Sequence, residues 1–461
     1  MRLTILGGGG FRVPLVYGAL LGDRHQRRVE TVTLYDTDPA RLAAMAHVLA
    51  QLAAEHQASD GTAGTVAVRT STDLDDAIAG ADVVFSAMRV GGLAGRTCDE
   101  RVALDLGVLG QETTGPGGIA YGLRTIPVAV DVARRVRELA PTAYLINFTN
   151  PAGMITEAMA TELGDRVIGI CDSPIGLARR AARSVGADLG GLRLDYLGLN
   201  HLGWLRGMYA PGLPGGPETD LLADVLASDE ALAAIEEGRL FGADWVRTLG
   251  ALPNEYLYYW YFTRDAIAAI RGSAQTRGEF LLDQQSAFYA AVAADPDSAL
   301  AIWRRSRDER EATYLAETRE ATQERDQADL AGGGYEAVAL ALMAAISRNE
   351  PAQMILNVRA GYLVPGLAPD AVVEVPCAVD AAGVHPLPVT PLTGASLGLV
   401  QQVKAVERTT IRAALERSAR LAVAAFAEHP LVDSVTVARQ LLAGYRARIP
   451  QVAALFDADP S

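Results

Sequence analysis

Cysteine is scarce in this chain of 461 residues, which contains only Cys98, Cys171 and Cys377. Three widely spaced thiols do not make the disulfide framework that stabilises small secreted proteins. The sequence also opens on a strand-like segment, without a charged leader and a long apolar run, so we expect neither a signal peptide nor a membrane span. These absences predict a cytoplasmic protein with reduced thiols and no membrane partner.

Positive charge is also in short supply. Lysine and arginine number 41 against 55 aspartates and glutamates, which gives a formal net charge of -14. A chain of this sign is not expected to bind nucleic acid through the phosphate backbone. An anionic small molecule is not excluded, because a local group of arginines can bind phosphate inside an acidic protein.

Aromatic residues make up only 6% of the chain, yet four tyrosines and a tryptophan stand between Asn254 and Tyr261. This segment is too aromatic to be an ordinary exposed loop. Aromatic rings bury a large area and stack on the faces of pyranose rings. We therefore expect packing and a ligand-facing surface there.

Glycine is concentrated at the N-terminus, in the turn of a predicted β-α-β unit. The apolar run Leu3–Leu6 meets four glycines, and a predicted helix over Pro14–Leu21 and a predicted strand over Val29–Tyr35 follow. Such glycines let the backbone approach a pyrophosphate, and an acid at the end of the second strand can bind a ribose hydroxyl. That acid favours NAD over NADP, since it would repel a 2′-phosphate. The candidate cofactor-binding residues here are Gly7, Gly8, Gly9, Gly10, Phe11, Arg12 and Asp36, with Arg12 where the usual motif has its third glycine.

Strands and helices continue to alternate as far as residue 170. Predicted strands cover Ala81–Ala87, Ala143–Asn147 and Arg166–Ile170, and predicted helices cover Leu74–Ala79 and Ile126–Leu139. This alternation is typical of a parallel, doubly wound sheet.

The pattern then changes to longer helical segments and one predicted hairpin. The helical segments are Leu221–Gly250, Ala299–Ala328, Tyr335–Ser347 and Val400–Ala427, and the hairpin pairs Val372–Val379 with Val384–Pro388. The predicted fold class is α/β, with an N-terminal Rossmann-like doubly wound sheet and a C-terminal mixed α+β, helix-rich substrate domain. We place the NAD-binding domain at residues 1–170 and the metal, substrate and oligomerisation domain at residues 171–461.

Cys171 and His201 are candidate metal ligands. They lie in Gly-Ile-Cys-Asp-Ser-Pro and Gly-Leu-Asn-His-Leu-Gly-Trp, downstream of the glycine turn. A soft thiolate and an imidazole can hold a borderline divalent ion while they leave coordination positions open for substrate oxygens. A metal and a dinucleotide together indicate redox chemistry.

Several further motifs resemble those of glycoside hydrolase family 4, the NAD- and metal-dependent glycosidases, over essentially the whole chain. Besides the Cys171 and His201 segments, they are Met88-Arg89-Val90-Gly91-Gly92, Gly110-Gln111-Glu112-Thr113-Thr114-Gly115-Pro116-Gly117-Gly118, Asn147-Phe148-Thr149-Asn150-Pro151 and Pro253-Asn254-Glu255-Tyr256-Leu257. The resemblance implies an exception to the two-carboxylate glycosidase scheme. NAD oxidises the sugar at C3, a base removes the C2 proton, the aglycone leaves by elimination, water adds, and NADH returns the hydride.

The resemblance also implies roles for individual residues. Cys171 and His201 match the ligands of Mn²⁺ or another divalent metal such as Co, Ni or Fe. Tyr256 matches the base and Asp172 the proton donor of some subfamilies. The remaining matches are Glu112 as a residue that raises the basicity of the tyrosine, Arg96 and Asn150 as substrate contacts, Arg277 as a phosphosugar-binding arginine, and Asn147 as a further cofactor-binding residue.

The anomer that the enzyme cleaves stays open. In this family Cys-Asn-x-Pro is usual in phospho-β-glucosidases and Cys-Asp-Met-Pro in phospho-α-glucosidases, whereas this chain has Cys171-Asp172-Ser173-Pro174. The contexts of His201 and Tyr256 look more like those of the phospho-β-glucosidases, so we expect a 6-phospho-β-glucosidase. A 6-phospho-α-glucosidase is the alternative, and a net NAD-dependent 2-hydroxy acid dehydrogenase is a third. The expected partner is a phosphorylated glycoside, and the expected assembly a homodimer or homotetramer.

Overall fold

One mixed sheet of 13 strands organises the part of the chain that the computed structural model describes, residues 1–59, 66–212, 217–312 and 334–457. Six strands are parallel: β1 (Arg2–Leu6), β2 (Thr31–Tyr35), β3 (Ala67–Ser71), β4 (Val83–Ser86), β5 (Tyr144–Asn147) and β6 (Val167–Gly169). They lie in the order β3-β2-β1-β4-β5-β6. This is the predicted doubly wound arrangement, and its topological switch point falls between β1 and β4.

Antiparallel strands extend the same sheet beyond β6. They are β7 (Arg193–Leu199), β8 (Leu202–Ala210), β9 (Thr219–Asp220), β10 (Leu252–Pro253), β11 (Ala352–Arg359), β12 (Val372–Asp380) and β13 (Gly383–Pro386). β11 joins β6 with Asn357 opposite Gly169, and β12, β7, β8 and β10 follow in that order. β12 and β13 form the predicted hairpin. The sheet is therefore continuous across residue 170.

Helices cover both faces of the parallel half. The first seven are α1 (Val13–Leu21), α2 (Pro39–Ser59), α3 (Leu74–Ile78), α4 (Gly92–Asp105), α5 (Pro116–Leu139), α6 (Ala152–Leu163) and α7 (Ser173–Ser184). In β4, Val83 and Phe85 belong to one large buried cluster and Val84 belongs to another. Successive strand residues point to opposite faces, so two apolar cores sandwich the sheet.

The later helices return to the N-terminal half. They are α8 (Leu221–Ala227), α9 (Asp229–Ala234), α10 (Glu236–Phe241), α11 (Ala243–Leu249), α12 (Tyr258–Tyr261), α13 (Thr263–Gly272), α14 (Arg277–Ala294), α15 (Ala299–Ala312), α16 (Tyr335–Arg348), α17 (Gly394–Leu415), α18 (Ala419–Glu428), α19 (Val435–Arg448) and α20 (Pro450–Phe456). α14 packs on α4, α15 on α2, α16 on α1, and α17 on α5. Among the described helices, none combines the length and the apolar character that crossing a bilayer requires.

The predicted helical segment Leu221–Gly250 is helical, but it is divided into the four short helices α8 to α11. The Ser228 hydroxyl accepts a hydrogen bond from the Ala231 amide at 3.0 Å and so starts a new helix. Gly242, with a φ of +80°, ends α10 and separates it from α11. Capping side chains and a left-handed glycine override the helical periodicity here.

The predicted helix over Val400–Ala427 is likewise divided, into α17 and α18. Arg417 has a φ of +52°, and the Ser418 hydroxyl accepts from the Leu421 amide to cap α18. The predicted helix over Ala299–Ala328 is present as far as Ala312, and the rest of it lies outside the described residues.

Candidate active site

A cleft of about 740 Å³ opens at the switch point, where the segments that follow β1 and β4 diverge. In open α/β sheets this is the crevice in which ligands bind. The predicted site residues that line the cleft are Gly7, Gly10, Phe11, Arg12, Arg96, Glu112, Asn150, Cys171, Asp172, His201, Tyr256 and Arg277. Residues spread over most of the sequence therefore meet in one cavity.

The glycine turn fits a dinucleotide loop. Gly7 has a φ of +83°, and a Cβ atom there would lie 2.6 Å from the Ala87 carbonyl oxygen. Glycine is thus required where the loop passes the end of β4. The amides of Gly7 and Gly8 donate to the Tyr35 carbonyl at 2.9 and 2.7 Å, which ties the loop to β2. The loop leads directly into the N-terminus of α1, whose amide groups favour an anion.

Three of the predicted cofactor residues do not line the cleft: Gly8, Gly9 and Asp36. Asp36 accepts a hydrogen bond from the Gly9 amide at 3.0 Å through Oδ2 and from the Asp38 amide at 3.1 Å through Oδ1. The carboxylate therefore holds the loop against the end of β2. Its position at that strand end is the one that the β-α-β pattern predicts.

Asn147 lies at the end of β5 and is fully buried. Its side-chain nitrogen donates to the carbonyls of Thr149 and Ala152 and to the Thr156 hydroxyl, at 3.1 to 3.3 Å. These bonds shape the segment that carries Asn150 into the cleft. Asn147 itself does not line the cleft.

Cys171 follows β6 and immediately precedes α7, whose first turn contains Pro174. The thiol is buried, and burial together with the charges of Glu374 and Asp172 raises its pKa well above the usual value. A divalent cation would reverse that preference, since metal coordination favours the thiolate. The negative surroundings of this thiol are suited to a cation.

His201 occupies the two-residue turn between β7 and β8, with a φ of +62°. A left-handed backbone is unusual for histidine and is often found at functional sites. The ring Nδ1 lies 2.8 Å from the Thr113 hydroxyl, which leaves Nε2 as the atom for a ligand bond. Burial lowers the pKa of His201 to about 3, so the imidazole is neutral and able to bind a metal.

This donor set fits an open divalent-metal site. Cys171 and His201 line the cleft and would supply one sulfur and one nitrogen ligand. No group of three or more histidine, cysteine or acidic side chains is placed to hold a metal within the described ranges. Two protein ligands would leave coordination positions for substrate oxygens, as catalytic sites require.

Tyr256 stacks on His201, with ring centroids 3.6 Å apart and an interplanar angle of 5°. It lies in a short 3-10 helix, where its amide donates to the Asn254 side-chain oxygen at 3.1 Å. The contact places the tyrosine beside the candidate metal ligand. Arg96 is an electrostatic neighbour of Tyr256.

Glu112 is buried between two arginines. Arg89 Nη1 lies 2.6 Å from its carboxylate, and Arg96 forms a second ion pair with it. Burial would raise the pKa of Glu112, but the two guanidinium groups outweigh burial and lower the pKa to about 2. The carboxylate is therefore ionised, and it holds Arg96 near Tyr256.

Three arginines define a positive wall of the cleft. Arg277 at the start of α14 donates to the Arg310 carbonyl at 3.0 Å, and Arg12 follows the glycine loop. Desolvation and the neighbouring charges of Arg12, Arg277 and Arg96 lower the pKa of Arg310 well below its usual value. A bound phosphate would relieve this repulsion.

Sequence reasoning identified Arg277 as a phosphosugar-binding residue and Arg12 as a cofactor-binding residue, but it missed Arg310, since no motif marks it. It also missed Glu255, which lines the cleft beside Tyr256. Glu255 accepts from the Ser173 hydroxyl at 2.9 Å and lies 3.5 Å from Arg180. Burial, with the charges of Glu236 and Glu237, raises its pKa to about 8 against the opposing effect of Arg180. The sequence did contain a signal for Glu255, because this residue lies in the same family motif as Tyr256.

A doubly wound sheet with a glycine loop at its switch point places the protein among the dinucleotide-binding α/β proteins. The model of family 4 glycosyl hydrolases matches residues 2–187, and the model of their C-terminal domain matches residues 196–432. The chain belongs to glycosyl hydrolase family 4.

Relatives of both anomeric specificities are similar to the chain. A probable 6-phospho-beta-glucosidase of Bacillus subtilis is 30% identical over 393 residues, which is 83% of each protein. A maltose-6'-phosphate glucosidase of the same organism is 28% identical over 455 residues, covering 95% of this chain and 94% of the relative. Family membership therefore does not decide the anomer.

Solved structures agree over the whole fold. The 6-phospho-beta glucosidase of Thermotoga maritima was determined with NAD and glucose-6-phosphate and matches this chain with a TM-score of 0.78 at 27% identity. The alignment covers 97% of this chain and 98% of that one. The same enzyme with manganese, NAD+ and glucose-6-phosphate also has a TM-score of 0.78, at 26% identity. A 6-phospho-alpha-glucosidase from gut microorganisms, with NAD and glucose-6-phosphate, has a TM-score of 0.76 at 26% identity.

Proposed function

We propose that this protein hydrolyses 6-phospho-β-glucosides, with NAD and a divalent metal as cofactors. The observation that carries the proposal is the convergence of the glycine loop, the Cys171–His201 pair, Tyr256 and the arginine wall on one cleft. Relatives with this fold are described with NAD, manganese and glucose-6-phosphate. When bound, NAD accepts a hydride from the sugar and later returns it, and the cation supplies Lewis acidity at the sugar oxygens.

Arginine side chains in the cleft are proposed to bind the substrate. Arg277 and Arg310, with Arg12, present guanidinium groups whose mutual repulsion a 6-phosphate would relieve. Arg96, oriented by Glu112 and Glu100, and Asn150 line the same cleft and are proposed to hold sugar hydroxyls. These contacts fix the sugar relative to Tyr256.

Tyr256 is proposed as the base that removes the C2 proton. Its ring is held parallel to His201, with the ring centroids 3.6 Å apart, so the phenol lies next to the proposed metal ligand. A nearby cation favours the phenolate, which brings a tyrosine toward the basicity needed at neutral pH. The positive charge of Arg96 acts in the same direction.

The residue placed to protonate the leaving aglycone supports a second candidate function, that of a 6-phospho-α-glucosidase. Asp172 lines the cleft beside Cys171 and can donate a proton to the leaving oxygen. An aspartate at this position is the pattern of the phospho-α-glucosidases, whereas the segments around His201 and Tyr256 resemble those of the β enzymes. We favour β on the strength of those two segments.

The experiment is hydrolysis of matched nitrophenyl 6-phospho-β- and 6-phospho-α-glucosides by reduced, metal-stripped protein, with and without NAD and Mn²⁺. The proposal predicts release of nitrophenol from the β compound only when both cofactors are present. Nitrophenyl glucosides without the phosphate serve as controls for the arginine wall. Cleavage of the α compound alone would establish the second candidate, and turnover without NAD would overturn the proposed chemistry.

The cellular setting and the assembly are also proposals. We propose a cytoplasmic protein that works as a homodimer or homotetramer, with an NAD-binding domain up to residue 170 and a substrate domain after it. Three free cysteines, one of them a candidate metal ligand, fit a reducing compartment. Light scattering of the purified protein measures the number of subunits.

A further inference from the structure

Three aromatic side chains from the C-terminal half hold the backbone of the glycine loop. The Tyr289 hydroxyl of α14 donates to the Gly9 carbonyl at 2.6 Å. The Trp303 indole of α15 donates to the Phe11 carbonyl at 2.8 Å, and the Tyr335 hydroxyl of α16 donates to the Arg12 carbonyl at 2.9 Å. We call these three residues the aromatic clamp.

The aromatic clamp is well packed. Trp303 and Tyr335 are only 3% and 2% exposed. The Phe11 ring packs edge-on against Phe288 at 5.2 Å and beside Trp303 at 6.1 Å. Burial raises the pKa of both Tyr289 and Tyr335 above the usual value, so each hydroxyl keeps its proton and stays a donor.

Holding these carbonyls fixes the peptide planes of the loop. A trans peptide is planar, with the carbonyl of one residue and the N–H of the next pointing in opposite directions. The bond from Trp303 to the Phe11 carbonyl therefore also sets the direction of the Arg12 N–H. The adjacent amides are set internally, because Gly10 donates to the Gly7 carbonyl at 2.9 Å and Val13 to the Gly10 carbonyl at 3.1 Å.

We propose that Tyr289, Trp303 and Tyr335 are positioning residues for the dinucleotide, so that the affinity for NAD depends on three helices of the C-terminal half. A loop that already has its binding conformation loses less conformational entropy when the ligand binds. The inference rests on the proposed function only in taking NAD as the ligand of the loop. It adds that the loop is incomplete without α14, α15 and α16.

The test compares the NAD dissociation constants of Tyr289→Phe and Tyr335→Phe, and of the double variant, by isothermal titration calorimetry. Each substitution removes one hydroxyl and keeps the ring, so the packing is retained. We expect each to weaken NAD binding by about three- to tenfold, the value of one hydrogen bond. Tyr17→Phe is the matched control, since its buried hydroxyl donates to the Val66 carbonyl at 2.9 Å, outside the loop. Its NAD affinity should equal that of the unsubstituted chain.

Hydrogen–deuterium exchange of the NAD-free proteins supplies a second readout. We expect the amides of residues 7–13 to exchange faster in the two clamp variants and not in Tyr17→Phe. Variants that bind NAD and exchange these amides like the control, even with a lower Tm, would overturn the inference alone. An unsubstituted chain that binds no NAD would overturn the proposed function and this inference with it.

Discussion

At the scale of single residues, His201 connects the parts of the candidate site. Its Nδ1 is taken by Thr113, its face is covered by Tyr256, and its backbone is left-handed. These contacts fix the direction of Nε2 before any ligand binds. A residue held in this way at a backbone cost of about 1–3 kcal/mol is characteristic of pre-organised sites.

Cys171→Ser tests the metal ligands. A neutral hydroxyl is a much poorer ligand than an anionic thiolate for a divalent cation, so the affinity for Mn²⁺ should fall on the order of tenfold or more. Titration of Mn²⁺ followed by electron paramagnetic resonance measures this affinity without turnover. Cys98→Ser, outside the cleft, is the control and should bind Mn²⁺ normally. Equal affinities in the two variants would remove Cys171 from the site.

Tyr256→Phe tests the base. The loss of a general base costs about 10²- to 10⁴-fold in rate, so we expect a fall of this size in kcat. NAD binding, measured by calorimetry, should be unchanged, because the substitution leaves in place the hydrogen bonds that tie the glycine loop to β2. Tyr258→Phe is the control, since Tyr258 packs on Phe262 and does not line the cleft. A variant with near-normal kcat would assign the proton transfer to another residue.

At the scale of elements, helices α4 and α5 are joined by a buried ion pair. Arg124 of α5 donates to both carboxylate oxygens of Asp99 of α4 at 2.7 Å, and neither side chain has solvent exposure. Arg124 Nε also donates to the Val90 carbonyl at 2.8 Å, in the segment between β4 and α4. This pair therefore sets the position of α4, which carries Arg96 into the cleft.

Arg124→Leu should lower the free energy of unfolding by about 3–5 kcal/mol, because it leaves Asp99 buried without its partner. Urea denaturation measures the change. Arg135→Leu on the same helix is the control, since its partner Asp75 is half exposed and such surface pairs contribute about 1 kcal/mol or less. Replacing Asp99 by leucine as well should recover part of the loss. A single variant as stable as the control would show that the pair is not needed to hold α4.

At the same scale, local pattern predicts elements better than it predicts their partners. The sequence pattern predicts β1, β2, β4, β5, β6 and the β12–β13 hairpin, but it does not predict β3, whose residues are largely exposed. The pairing of β6 with β11, residues 169 and 357, joins segments far apart in the chain, and no local period encodes it. The predicted helical segment Leu221–Gly250 is divided at three places: the Ser228 cap, the extended residue Ile235 and the positive φ of Gly242. Helical periodicity does not register such single residues.

The candidate site shows the same limit. Glycine spacing and family motifs locate Cys171, His201 and Tyr256, because these residues stand in short recognisable segments. Arg310 and the aromatic clamp lie on helices without a motif, and only the packing of α14, α15 and α16 against the N-terminal half brings them to the loop.

At the scale of the whole molecule, one continuous sheet positions residues for both halves of the proposed reaction, hydride transfer and proton transfer. Parallel strands present the glycine loop and Arg12, the antiparallel hairpin of β7 and β8 presents His201, and the late helices α14 and α15 supply Arg277 and Arg310. Hydride transfer and proton transfer can then occur on the same sugar without its release. The account therefore predicts that NAD returns to its starting state in every turnover.

The most direct test is hydrolysis of a 6-phospho-β-glucoside in D₂O, with NAD and Mn²⁺, followed by NMR of the glucose 6-phosphate formed. Removal of the C2 proton by a base that exchanges with solvent predicts deuterium at C2, with no net gain in NADH absorbance. Product that retains hydrogen at C2, or NADH that accumulates one for one with product, would contradict the account.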